Sequence, residues 1–87
     1  MGDDRFENDP ARILIVDDEA NMRHMMTALL SDAGYRVDTA EDGRQAMDKV
    51  AEQHFQYIFL DIKMPQMDGM MFMKQAGDYL AATEVIM

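Results

Sequence analysis

A chain of 87 residues allows one small domain. With 48% hydrophobic and 29% charged residues, it is too apolar to be a disordered segment. Seventeen acidic residues against eight basic ones give a net charge of −9, which argues against nucleic acid as a direct partner and suits a cation or a basic protein surface.

Residues 1–10 read as a polar N-terminal leader ended by Pro10. Arg12–Val16 is short, continuous, β-branched and bounded, which predicts a buried strand. Met22, Met25, Met26, Leu29, Leu30 and Ala33 recur at spacings of three and four and predict one face of a helix. Gly34 follows where a left-handed cap residue would end that helix. Residues 35–40, Tyr-Arg-Val-Asp-Thr-Ala, alternate as a second strand with a wetter side. Asp42 and Gly43 offer a cap and a turn, and Ala46, Met47, Val50 and Ala51 form the stripe of a second helix.

Phe55–Leu60 predicts a third strand, which stops at Asp61. Residues 63–67 read as a loop, because Pro65 turns Met64 away from helical geometry. Asp68 is placed to cap a third helix through Met70, Met71, Phe72 and Met73 toward Ala76. Two ends are open for that helix, one at Gly77 and one at Leu80. Thr83–Met87 begins a fourth strand. The order β-α-β-α-β-α-β implies a parallel sheet with right-handed crossovers, in which the first and third strands, the most apolar, lie centrally. The 11 methionines read first as leucine-like core filling, with a methionine-rich recognition groove as the other possibility.

Cysteine is absent, which excludes disulfides and thiolate metal sites. No apolar run approaches the roughly 20 residues of a membrane span, and the acidic N-terminus has no signal-peptide character. A cytoplasmic location is the expectation, with no membrane partner.

Two apolar strands end in acids, the first in Asp17-Asp18-Glu19 and the third in Asp61. Ligands of open parallel sheets sit at the carboxyl ends of the strands. Asp17, Asp18 and Asp61 therefore converge although they lie far apart in sequence. Two carboxylates ~4 Å apart repel by about 4 kcal/mol at an effective dielectric of ~20. A divalent cation removes that cost, and hard oxygen ligands with room for water suit Mg²⁺. Asp61 is also a carboxylate nucleophile able to form an acyl phosphate. The plain alternative is that Asp17 and Asp18 cap the first helix, whose N-terminal dipole favours acids.

Four segments carry a resemblance: residues 13–19 (Ile-Leu-Ile-Val-Asp-Asp-Glu), 33–37 (Ala-Gly-Tyr-Arg-Val), 40–43 (Ala-Glu-Asp-Gly) and 61–69 (Asp-Ile-Lys-Met-Pro-Gln-Met-Asp-Gly). Together they resemble the receiver domain of two-component response regulators, in the family's order and spacing from about Arg12 to Met87. The resemblance implies a flavodoxin-like (CheY-like) α/β fold, a parallel sheet with flanking helices. It implies that Asp61 accepts a phosphoryl group from a sensor histidine kinase. Asp18 would be a direct Mg²⁺ ligand, Asp17 would act largely through water, and the Lys63 backbone carbonyl would be a further ligand. The Lys63 side chain is expected to be solvated, and His24 and His54 are expected at the surface.

The family fold has five strands in the order 2-1-3-4-5, of which this chain would supply four. The Ser or Thr at the end of the fourth strand and the Lys of the fifth, which contact the phosphoryl group in the family, would lie past Met87. Residues 11–87 are therefore expected to form a partial receiver domain, with an output domain, DNA-binding or ATPase, in the parent protein. An uncovered sheet is expected to expose Ile13 and Ile15 and to favour self-association or domain swapping. Such a domain is a phosphoacceptor in a phosphorelay and not an enzyme with an external substrate. Two other readings stand beside it. One is a truncated fragment that serves only as an interaction or dimerisation module. The other is an aspartate-nucleophile phosphatase of the haloacid dehalogenase type, against which Lys63 counts, because that chemistry needs an acid there.

Overall fold

The computed structural model describes residues 10–61 and 69–86. Strand β1 is Arg12–Val16, helix α1 Ala20–Asp32, β2 Arg36–Ala40, α2 Gly43–Glu52, β3 Tyr57–Leu60, α3 Gly69–Gln75 and β4 Glu84–Ile86, with a 3₁₀ turn at Gly77–Leu80 before β4. The four strands form one parallel sheet in the order β2-β1-β3-β4, with the two most apolar strands central as expected.

Local chemistry explains where the helices start and stop. At the end of α1 the Tyr35 N–H donates to the Leu30 carbonyl at 3.1 Å and the Gly34 N–H to that of Ser31 at 3.0 Å. Gly34 has φ +100°, so this is the glycine-dependent cap expected from the sequence, and Tyr35 closes it before β2 begins. Asp42 caps α2 by accepting from the Gln45 N–H at 2.9 Å. The third helix meets neither expected end. It closes at Gln75 and tightens into the 3₁₀ turn, with Ala76 fully buried at the join.

Side chains alternate across the sheet. On one face Leu14, Val16, Ile58 and Leu60 join Ala46 and Val50 of α2, Phe55, and Phe72 and Ala76 of the α3 segment in a single buried cluster. This is the main core. Phe55 belongs to it although the strand starts only at Tyr57. Its carbonyl accepts from the Thr83 hydroxyl at 2.6 Å, which fastens the approach to β4 alongside the approach to β3.

The other face is covered unevenly. Helix α1 packs on β1 and β2 and buries none of its own residues, so its methionines and leucines do not form the fully buried stripe their spacing predicts. Ile13 and Ile15 are nonetheless 3% and 2% exposed, against the expectation that they lose their cover. They are central in the sheet and are flanked by Met22, Met26, Leu30 and Tyr35 from the α1 side. The exposure falls on Tyr57 of β3 and Ile86 of the outer strand β4. Among the described methionines, Met47 and Met73 lie against the core, while Met22, Met25 and Met71 are exposed. No described helix is long and apolar enough to cross a membrane.

Candidate functional site

The site follows from strand register. Val16 of β1 and Leu60 of β3 are paired, so the residues after them, Asp17 and Asp61, leave the sheet side by side. Both turning points are fixed by the backbone: the Asp61 N–H donates to the Val16 carbonyl at 2.9 Å, and the Asp17 N–H to the Ala40 carbonyl at 3.1 Å. Asp18 follows in the short link to α1. Carboxylate oxygens of Asp17, Asp18 and Asp61 lie within 4.8 Å of one another, with Asp17 and Asp61 half-buried and Asp18 exposed. The sequence-predicted trio is therefore brought together at the carboxyl edge of the sheet. Lys63, the remaining predicted ligand, lies outside the described residues, as do the 63–67 loop and the Asp68 cap.

Asp17 is held through three groups. Its N–H is tied to β2, one carboxylate oxygen accepts from the Glu19 N–H at 2.9 Å, and its carbonyl accepts from Nη1 of Arg23 at 2.8 Å. The capping role considered for Asp17 and Asp18 is not what the link does. The N-cap of α1 is Glu19, in extended geometry and without a side-chain cap bond. Both Asp18 and Glu19 still sit before the helix N-terminus, where the dipole favours negative charge.

Arg23 escaped the sequence reading. A cation one helical turn after Glu19 was its only signal, and nothing in composition marks it as pointing back to the strand end. His24 and His54 are exposed, as expected.

Three hard carboxylates at this spacing repel one another. A pair ~4 Å apart costs about 1 kcal/mol at the dielectric of water and about 4 kcal/mol at ~20, and this half-exposed site lies between those limits. The donor set is all oxygen, and one member, Asp18, is exposed to water. These properties fit Mg²⁺ better than a softer metal.

Residues 13–87 match the family described as response regulator receiver domain. Regulatory protein AtoC of Escherichia coli is 38% identical over 76 residues, which are 87% of this chain and 16% of AtoC. The chain thus spans about a sixth of that relative. Chemotaxis response regulator CheY4 of Vibrio cholerae superposes with a TM-score of 0.82 at 38% identity, over 87% of this chain and 65% of that one. Response regulator TrrA of Thermotoga maritima, solved in complex with Mg²⁺-BeF, superposes with a TM-score of 0.78 at 33% identity, over 86% and 65%. TrrA has also been solved in complex with histidine kinase ThkA, with a TM-score of 0.76 to this chain.

Proposed function

The chain belongs to the response regulator receiver domain family, and from that membership we propose that Asp61 is its phosphoacceptor, charged by a sensor histidine kinase in a Mg²⁺-dependent step. The observation that carries the proposal is the convergence of Asp17, Asp18 and Asp61 within 4.8 Å at the carboxyl ends of β1 and β3. In the transfer, a carboxylate oxygen of Asp61 attacks the phosphorus of the kinase phosphohistidine. The bond from phosphorus to the imidazole nitrogen breaks, and that nitrogen keeps the electron pair and takes up a proton. The product is an aspartyl phosphate. Asp18 would hold the cation directly, Asp17 largely through water, and the Lys63 backbone carbonyl would be a further ligand. A bound Mg²⁺ supplies charge stabilisation to the phosphoryl oxygens.

On this reading residues 11–87 are part of a receiver domain, preceded by the 1–10 leader, in a cytoplasmic regulator whose output domain lies elsewhere in the protein. The small share of AtoC that the chain covers supports a separate output domain. The TrrA complex with ThkA supports a kinase as the partner. The receiver acts on no external substrate.

One observation favours a second reading, an interaction module. The apolar residues Tyr57 and Ile86 stand exposed beside α1, with Phe59 half-buried between them. Such a surface suits self-association through the β3–β4 side, with or without exchange of elements.

Acetyl phosphate with Mg²⁺, followed by intact-mass spectrometry, separates the two. A single phosphoryl adduct that disappears in Asp61→Asn is expected. An adduct that persists in Asp61→Asn refutes the assigned acceptor, and no adduct in the wild type leaves the interaction reading standing.

A further inference from the structure

Arg23 is a cation placed beside a site that should attract cations. Its Nη1 donates to the main-chain carbonyl of Asp17 at 2.8 Å in a partly buried bond, reaching back six residues from the first turn of α1. Its own N–H donates to the Glu19 carbonyl at 3.1 Å, which anchors it in the helix. The link between β1 and α1 is thus bracketed: Asp17 is fixed to β2 through its N–H, to Glu19 through its carboxylate, and to α1 through Arg23.

We infer that Arg23 is a positioning residue that sets the geometry of Asp17 and Asp18 for the divalent cation. The inference rests on the metal-site reading given above. On charge alone, a guanidinium held at the Asp17 carbonyl should weaken Mg²⁺ binding at the acidic trio. A planar donor bonded to a carbonyl has a second effect: it fixes the backbone from which both carboxylates project. Preorganised ligands bind better because less ordering remains to be done on binding. The two effects act in opposite directions on Mg²⁺ affinity, so the sign of the change on removing Arg23 tells which one dominates. The hydrogen bond ends on a main-chain oxygen and not on a carboxylate oxygen of the trio, which favours positioning.

The test is a MgCl₂ titration of the whole chain at constant ionic strength, followed by the backbone amide resonances of Asp17, Asp18 and Asp61. Arg23→Ala should weaken Mg²⁺ binding by roughly threefold to tenfold, although it removes a repelling charge, and Arg23→Lys should recover part of the loss. In metal-free protein, Arg23→Ala should also speed hydrogen exchange at the Glu19 amide, which is bonded to Asp17. Equal or tighter Mg²⁺ binding in Arg23→Ala overturns the inference, as does lower unfolding stability with unchanged affinity. If Arg23→Ala does not fold, Arg23→Lys and Arg23→Gln carry the same comparison. Asp18→Ala is the control on the site itself. A wild type that binds no Mg²⁺, or an Asp18→Ala that binds it normally, brings down the metal-site reading and this inference with it. Wild-type binding that is lost in Asp18→Ala but unchanged in Arg23→Ala brings down the inference alone.

Discussion

The backbone N–H of Asp61 donates to the carbonyl of Val16 at 2.9 Å. This bond continues the β1–β3 ladder one step past its last pair, Val16 with Leu60, and so sets Asp61 beside Asp17. Parallel pairing thereby converts two distant stretches of sequence into one site. Its precision comes from Val16 and Leu60, which are 0% and 4% exposed and have no freedom to slip without turning apolar side chains into water.

A cation that joins these acids binds only the folded chain. Mg²⁺ should therefore raise the unfolding temperature, by an amount that grows with the logarithm of its concentration. At 100 times the dissociation constant the gain is about 2.7 kcal/mol, and each kcal/mol is worth roughly 4–8 °C in a domain of this size. Thermal unfolding followed by circular dichroism, with NaCl matched for ionic strength, checks this. Asp18→Ala should abolish the Mg²⁺-specific part, because screening by salt alone acts equally on both proteins.

Two adjacent residues of α3 should behave oppositely. Phe72 is 0% exposed at the centre of the main core, and Met71 beside it is 51% exposed. Phe72→Ala should cost about 3–5 kcal/mol, a large part of the stability of so small a domain. Met71→Ala should stay within about 0.5 kcal/mol. Urea unfolding of the two variants measures the contrast.

The Thr83 hydroxyl to Phe55 carbonyl bond, at 2.6 Å, crosses from the start of β4 to the approach to β3. Thr83→Val keeps the shape and removes the donor. It should cost about 1 kcal/mol, a fall of roughly 4–8 °C in unfolding temperature. Hydrogen exchange should quicken at the Glu84 amide, which donates to Gln56 within the same junction.

The alternating and helical patterns made the strands, the helices and their parallel order legible, because residues 13–16 of β1 and all of β3 are apolar and Gly34 and Asp42 are unambiguous stops and starts. The acidic trio was legible for the same reason: acids ending two central strands have only one place to go. Arg23 was not, since a single long side chain reaching a carbonyl leaves no periodic trace. Helix α1 misled most. The spacing of Met22, Met26 and Leu30 correctly marks the side toward the sheet, but a pattern cannot say how deep a helix sits. The structure leaves Met25 and Leu29 at 51% and 62% exposure. The missing cover expected over Ile13 and Ile15 does not expose them, because they lie on a central strand with Met22, Met26, Leu30 and Tyr35 against them; the exposure falls on Tyr57 and on Ile86 of the outer strand β4.

That outer strand carries the last prediction. Two adjoining depressions, of about 190 and 160 Å³, meet at Phe59 and Ile86, and Tyr57 lines the second. Tyr57 and Ile86 are 36% and 40% exposed on the same side of the sheet, and β4 is paired only to β3 among the described strands. An apolar strip along an edge strand lowers its free energy by covering itself. The expectation is concentration-dependent association of the 87-residue chain in the micromolar range, seen by sedimentation velocity, with dye binding that falls as association rises. Ile86→Lys should shift the chain toward monomer by putting a charge on the edge, a device that blunts strand pairing. Glu84→Lys, on the same strand but already polar, should do much less. A compact monomer at all concentrations, with no dye binding, would mean that the strip is too small to drive association. The interaction reading would then lose the observation that favours it, while the phosphoacceptor reading, which depends on Asp17, Asp18 and Asp61, would be untouched.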